Sequence, residues 1–533
     1  MVLYYILYFL IIMYVIDVSM RSYHMLQQNI YNENNRYLKW VWKNKKLILK
    51  NIDLYGIVFA ILIMFTKNES LINFFLVVLM FVYLVSYFKF QEQKKKDQNK
   101  KPLVATKRIK RLAITTNILY LIPILTAIFA NQYAAICLLI LTIMASLNFY
   151  VVFLALIINH PIERMVYHHY ERLAKEKLKS MPSLKIVGIT GSYGKTSCKN
   201  ILADILNVKY NALPTPKSLN TFNGLMITIN NKLSKFDDIF IAEMGAYVPG
   251  EIHRLCCLVN PKYGIITSIG KAHLETFGSE ENIQKGKMEL IEYLPSDGIG
   301  VLNADDKMQK SYKIKNNCKI LWIGIDNKDV DVSATNIKCS GEGTIFDVTF
   351  KNDSKSYKFE TKLLGKHNVY NILSALALGR EFGVSIKDLQ LGVKKVRPIE
   401  HRLELKKLGN FYQIDDAYNS NPVGAKSALD VLAMMDGDKV VITPGMVELG
   451  SEERELNKIF GEQISEVADK VILIGAKRTE PILEGLKEKG FKEKNIYISN
   501  DVREAYTILN ELKSRKDLYA LFENDLPDTY TEK

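Results

Sequence analysis

Gly188-Ile189-Thr190-Gly191-Ser192-Tyr193-Gly194-Lys195-Thr196-Ser197 joins an apolar run, Lys185 to Ile189, to a segment with helical spacing, Lys195 to Leu206. Strand, glycine-rich turn and helix in that order make a phosphate-binding loop. Gly191 and Gly194 let the backbone turn so that the N–H groups from Ser192 to Ser197, at the start of the helix, face one oxyanion. Lys195 adds a point charge and Thr196 a hydroxyl for Mg²⁺. The loop has the tight form Gly191-x-x-Gly194-Lys195-Thr196, because Ile189 stands where the common nucleotide loop has a glycine.

Downstream, apolar runs recur with polar helical segments between them: Asp238–Met244, Tyr263–Ile269, Ile299–Asn303 and Ile320–Ile323. This rhythm predicts an α/β fold, a central domain whose parallel sheet is covered by helices and binds its ligands at the carboxyl ends of the strands. Glu243 closes one of these strands and His273 follows another. Both reach the edge that carries the phosphate loop, where a carboxylate and an imidazole suit the ion that Thr196 would hold. Val330 to Thr361 reads as β hairpins around Gly341-Glu342-Gly343. After Val396-Arg397-Pro398 a second βα series begins: Phe411–Asp415, Lys439–Pro444, Lys470–Gly475, Asn495–Ser499 and Leu518–Glu523.

The front of the chain is different. Val2–Ile16, Leu54–Phe65, Leu71–Phe88, Leu112–Ala130 and Tyr133–Ile158 are apolar runs that approach the roughly 20 residues needed to cross a bilayer. The chain is therefore organised as a membrane region of about five helices over 1–160, a polar linker helix over 161–181, an ATP-binding domain over 182–396 and a Rossmann-like α/β domain over 397–533. Charge agrees with this division. Of the net +14, residues 1–111 hold 18 Lys and Arg against 6 Asp and Glu, which leaves +2 for the rest. The excess lies between apolar runs, at Arg36–Lys50 and Lys89–Arg111, where basic loops mark the cytoplasmic side. A nucleic-acid partner is excluded on that distribution; the expected setting is a multi-pass cell-membrane protein with its catalytic domains in the cytoplasm. The six cysteines are scattered and form no Cys-x-x-Cys pair, as suits a reducing compartment.

From residue 182 onward a series of segments follows in order: Gly188–Ser197, Ala242–Gly245, Pro249-Gly250-Glu251-Ile252, Ala272-His273-Leu274-Glu275, Gly365–Asn371, Glu400-His401-Arg402, Asp415–Pro422 and Gly445–Gly450. On these segments the sequence resembles the Mur ligases, the ATP-dependent amide-forming family of cell-wall precursor synthesis. Asp-Asp-x-Tyr-Asn-x-Asn-Pro and Glu-Leu-Gly are most similar to the branch that adds a D-alanyl-D-alanine dipeptide to a muramoyl-tripeptide. The resemblance implies ATP and Mg²⁺, with Gly191, Ser192, Gly194, Lys195, Thr196, Ser197, Asn368, Asn371, Arg402 and Asp416 on the nucleotide. It places Thr196, Glu243, His273 and Lys287 on metal, Lys287 as a lysine carbamylated by CO₂, and Lys195, His273 and Lys287 in catalysis. Tyr418, Asn419 and Asn421 would meet the substrates. Implied partners are a cell-wall precursor and an amino acid or dipeptide, with the lipid bilayer and membrane-bound wall-synthesis proteins beside them. Two other readings stand next to this one. In one, the same chemistry serves another polymer or a lipid-linked acceptor, because residues 1–160 do not resemble the family's UDP-binding domain and Asn457 replaces a histidine common in that branch. In the other, the domain only binds ATP and regulates a membrane assembly.

Overall fold

The computed structural model describes all residues except 1, 30, 32–34, 46–50, 97–101, 341–342, 354, 399–401, 410, 418–419, 448, 513–516 and 526–533. The chain divides into two compact units, Met1–His169 and Tyr170–Lys533.

The first unit is helical. Among the described residues four helices are long and apolar enough to cross a membrane: Val2–Gln28, Glu69–Lys94, Lys107–Phe129 and Asn148–Lys179. Two of the five expected runs differ. Leu54–Phe65 belongs to a helix of 15 residues, Asn51–Phe65; at about 1.5 Å per residue it is shorter than a hydrocarbon core of about 30 Å. Tyr133–Ile158 is interrupted at Leu147, which separates the 13-residue helix Ala134–Ser146 from the 32-residue helix Asn148–Lys179. Just before the break, the Thr142 hydroxyl donates to Leu139 O and the Ser146 hydroxyl to Thr142 O, each at 2.8 Å, so side chains compete for carbonyls that hold the helix. The expected linker helix is the continuation of this last helix as far as Lys179.

In the helical unit a few polar side chains bond within an otherwise apolar core, and large apolar side chains also face outward. The Tyr37 hydroxyl is 2.6 Å from Ser22 Oγ and donates to Phe149 O at 3.0 Å. Asn148 Nδ2 donates to Ser19 Oγ at 2.8 Å and to the Tyr120 hydroxyl at 3.1 Å. By contrast Phe9, Phe65, Phe74, Phe81 and Phe129 are exposed, Phe129 by 85%.

The second unit holds two sheets. In the first, β1 (Lys185–Thr190), β2 (Ala212–Pro214), β3 (Ile239–Glu243), β4 (Tyr263–Ile266), β5 (Ile299–Asn303), β6 (Lys319–Gly324), β7 (Val332–Ser340), β8 (Gly343–Phe350) and β9 (Ser356–Thr361) are arranged 2-3-1-4-5-6-7-8-9. Pairing is parallel from β2 through β7 and antiparallel from β7 to β9. Val187, Ile189, Ile241, Ile265 and Val301 pack in one core with Ile201, Leu202, Ile205, Leu373 and Leu376 of the helices Lys195–Leu206 and Lys366–Glu381. Helices cover both faces, so the inner strands are apolar throughout; all five residues of β3 are buried. Gly188 pairs with Ala242 on one side and Gly264 on the other. The connections leaving β1 and β4 thus diverge at the carboxyl end of β1, which opens a crevice where the phosphate loop begins.

The other sheet runs β10-β11-β15-β12-β13-β14, with β10 (Glu404–Leu408), β11 (Phe411–Asp416), β12 (Asp438–Thr443), β13 (Lys470–Ile474), β14 (Ile496–Ser499) and β15 (Leu518–Glu523). Only its edge strand β10 is antiparallel to its neighbour. The sequence reading found neither β2 nor β10. β2 has three residues, and β10 (Glu-Leu-Lys-Lys-Leu) is a half-exposed edge strand without the apolar pattern of a buried one.

Candidate active site

The phosphate loop is fixed by its neighbours. Gly191, at φ +152°, lies against the Thr267–Ser268 segment so closely that a Cβ there would come 2.1 Å from Thr267 Oγ1, so only glycine fits. Ser192 N donates to Ser268 O at 2.6 Å, and the Ser192 hydroxyl donates to Gly270 O at 2.9 Å. Gly194, at φ +78°, begins the helix Lys195–Leu206 and brings its first turn next to Asn371, whose Oδ1 is 3.3 Å from the position of a Cβ. The Lys195 ammonium folds back onto the loop, donating to Gly191 O at 2.6 Å and Ser192 O at 3.1 Å.

Glu243, at the end of β3, is the hub of the edge. Its Oε1 accepts from the Thr196 hydroxyl at 3.1 Å and from Asn220 Nδ2 at 3.0 Å, while Oε2 accepts from the Lys199 ammonium at 2.9 Å. Lys199 is fully buried and also donates to Lys217 O at 2.5 Å. Sequence reasoning overlooked this lysine. It lies one turn after Lys195, on the loop-facing side of the same helix, and that spacing was the available signal.

His273 stands in the left-handed region at φ +60°, with its ring 4.5 Å from the Tyr247 ring. Of the two lysines in Lys285-Gly286-Lys287, Lys285 is exposed and Lys287 is 1% exposed. Lys287 donates to Ala246 O at 3.1 Å and lies 5.1 Å from the centroid of the Phe277 ring. Burial, and then the charge of Lys195, hold its ammonium pKa well below the usual lysine value. Lys195 itself is lowered to about 8 by burial, against the pull of Glu243 and with the push of Arg402.

The cleft between the two sheets has two chambers. The larger, about 450 Å³, is lined by Asn368, Asn371, Arg402, Asp416 and Asn421 together with Tyr193, Gly194 and Ser197 of the loop. The smaller, about 300 Å³, is lined by Ser192 through Ser197, Asn220, Glu243, His273, Arg402, Ser420 and Asn421. Arg402, Asn421 and the phosphate loop border both. Asn421 also caps the helix Pro422–Ala433, its Oδ1 accepting from Gly424 N at 2.8 Å. Asn368 Nδ2 donates to Leu364 O at 2.8 Å. Every predicted site residue that the structure describes lies on these walls except Gly191, held against Thr267, and Lys287, which is buried beside Ala246 and Phe277. Tyr418 and Asn419 lie outside the described residues.

Residues 189–379 match the Mur ligase middle domain, and residues 401–522 match the Mur ligase glutamate ligase domain. The UDP-N-acetylmuramoyl-tripeptide–D-alanyl-D-alanine ligase of Bacillus subtilis is 31% identical over 353 residues, 65% of this chain and 74% of that relative. This chain belongs to the Mur ligase family. It is thus an ATP-dependent peptide ligase, and its two sheets are the family's middle and C-terminal domains. The Escherichia coli ligase of the same name is 32% identical over 294 residues, 55% of this chain and 64% of that one. Among solved structures, the MurF ligase of Thermotoga maritima in complex with ADP superposes with a TM-score of 0.60 at 26% identity, over 67% of this chain and 80% of that one.

Asn457 is 2% exposed and clamps the turn at Met446: Oδ1 accepts from Met446 N at 2.9 Å and Nδ2 donates to Met446 O at 3.0 Å. The amide therefore shapes the loop that brings Val447 and Leu449 to the smaller chamber.

Proposed function

We propose that this ligase joins a D-alanyl-D-alanine-like dipeptide, or a single amino acid, to the carboxyl end of a cell-wall peptide precursor, with ATP in the larger chamber and the reacting carboxyl group in the smaller. The observation that carries this reading is the convergence of Lys195, Thr196, Glu243 and His273 with Arg402 and Asn421 of the other domain around one loop. ATP supplies the γ-phosphoryl group that turns an unreactive carboxylate into an acyl phosphate, which an amine displaces.

The residues present fit the implied groups. Thr196 Oγ1 and Glu243 Oε1 offer two hard oxygen donors side by side at the chamber wall, the type of site in which Mg²⁺ takes its remaining ligands from phosphate and water. Among the described residues no three His, Cys, Asp or Glu side chains converge as a self-sufficient cage. Lys287 fits a carbamate: only a neutral amine captures CO₂, and burial shifts this amine toward its neutral form. Once carbamylated it would be an anion beside Lys195, joining Glu243 and His273 as a metal ligand.

The loop amides and Lys195 would neutralise the transferring phosphoryl group, and Arg402, reaching both chambers, would orient nucleotide and acyl group together. Closing the two sheets on each other excludes water that would hydrolyse the activated carboxyl. The test is ADP formation by the purified full chain. The reading requires ADP release to depend on both a muramoyl-peptide and an amine; release independent of both, or none with any such pair, overturns it.

The helical unit supports insertion in the cell membrane with the ligase domains in the cytoplasm. Its exterior is apolar and its polar side chains bond to one another inside, the arrangement that hydrocarbon solvent favours. Retention in the membrane pellet after alkaline carbonate extraction is expected; release to the supernatant contradicts it. Membrane insertion also favours an acceptor borne on lipid, which meets a membrane-held enzyme at high effective concentration. Greater kcat/KM with a lipid-linked than with a UDP-linked acceptor is the outcome that reading demands.

A further inference from the structure

β11 and β15 run parallel and set Asp416 opposite Glu523 at the carboxyl edge of the six-stranded sheet. Register partners on neighbouring strands project to the same face about 5 Å apart, so the two carboxyl groups lie side by side. Glu523 is 1% exposed. Its Oε1 accepts from the Ser420 hydroxyl at 2.6 Å, and its Oε2 is buried without a hydrogen-bond partner among the described residues. Neighbouring polar groups are already engaged. Asn524 Nδ2 donates to Gly445 O at 2.6 Å, and its Oδ1 accepts from Ser420 N at 3.2 Å.

The charged groups around the pair are few. Arg402 acts on both carboxyls, and Asp415 precedes Asp416 on β11. On β10, Lys406 lies 3.4 Å from Asp415 and 2.7 Å from Glu404. From the other domain, His367 and Lys195 feel the charge of Arg402. Two adjacent carboxylates, one fully buried and one half-buried at the chamber wall, resist ionising together, and the buried Glu523 Oε2 lacks a donor. One proton between them removes both costs.

We propose that Asp416 and Glu523 act as one acid holding a single proton, with Glu523 as the proton-bearing partner that orients the Asp416 carboxylate toward the nucleotide chamber. This rests on the reading that the larger chamber takes ATP. Burial, as the first cause for each, raises Asp416 to about 6 and Glu523 well above the ordinary carboxylate range; the charge of Asp416 pushes Glu523 up further. Glu523 is a positioning residue. As pH rises the shared proton is lost, the pair becomes doubly charged, and Asp416 loses the donor that orients it.

Two measurements test this. Infrared difference spectra, wild type minus E523Q, are expected to show a protonated carboxyl band at neutral pH. In the pH profile of kcat/KM for ATP, wild type is expected to fall along two alkaline limbs, that of Lys195 and that of the pair. E523Q keeps a donor that cannot titrate, so it retains the neutral-pH value within about twofold and shows the Lys195 limb alone. E523A lacks the donor and should raise KM for ATP about tenfold with little change in kcat, the scale of one lost charge-assisted hydrogen bond. If E523A does not fold, the band and the E523Q profile decide. Absence of the band, or parallel profiles for wild type and E523Q, overturns the proposal. A band present in a protein that binds no ATP leaves the shared proton standing and defeats the nucleotide reading.

Discussion

The nine-stranded and six-stranded sheets face the cleft with buried groups of opposite kind. The first holds amines, Lys199 and Lys287 buried and Lys195 half-buried; the second holds carboxyls, Asp415 and Glu523 buried and Asp416 half-buried. On each edge one member is ion-paired: Lys199 with Glu243 at 2.9 Å, Asp415 with Lys406 at 3.4 Å. The others are pushed toward neutrality, lysine values down and carboxyl values up. The contrast teaches that burial disfavours the charged form of a group without an ion-pair partner, amine and carboxyl alike. Polyanionic phosphate would favour the charged form on the amine edge, because it offers Lys195 an anionic partner beyond the loop carbonyls it now meets.

Substitutions can break that contrast in order of size. Lys195→Ala removes the cation aimed at phosphate and is expected to lower kcat/KM by about 10³-fold, near 4 kcal/mol, with little change in melting temperature. Lys199→Met should do the reverse. It leaves Glu243 buried without its counter-charge, at a cost of about 3 kcal/mol of stability measurable by denaturant titration. Equal stability of the two variants would erase the distinction between a paired lysine and an unpaired one.

A smaller effect is expected at Lys287. Removing bicarbonate and dissolved CO₂ should lower wild-type turnover about 10²-fold, the scale of losing one supporting metal ligand. Lys287→Ala should start at that low rate and not respond to bicarbonate. A bicarbonate response retained in the variant would exclude carbamylation there. Lys195 predicts a pH effect of known sign. Its ammonium, lowered to about 8 by burial, loses charge as pH rises through that value, so in E523Q, where the carboxyl pair adds no limb, kcat/KM for ATP should be flat below it and fall roughly tenfold per unit above it. Smallest of all is Lys271→Ala, which cuts a half-exposed ion pair between the domains, 2.6 Å from Glu452. A change of about 0.5 kcal/mol in stability is expected by calorimetry.

Much of the α/β half was legible in the sequence because buried parallel strands must be apolar throughout and glycines must stand where the loop meets Thr267. The short strand β2 and the polar edge β10 were not, since three residues or one exposed face leave no period to read. In the helical half, composition alone merged two helices across Leu147, because a break made by Thr142 and Ser146 hydroxyls does not alter hydropathy. The site was legible where spacing within one loop carried it, as at Lys195 and Thr196. Glu523 was not legible, since its partner Asp416 is 107 positions earlier and only strand order brings them together. Nor does spacing tell the exposed Lys285 from the buried Lys287, two positions apart on one helix.

The central claim is that the amine edge binds ATP for amide synthesis. It is tested most directly by following ADP and amide together in the full-length protein, wild type and Lys195→Ala, with a muramoyl-peptide acceptor and D-alanyl-D-alanine. One ADP per amide bond in wild type and neither product from the variant is the predicted result; amide formed at an undiminished rate by the variant would contradict it.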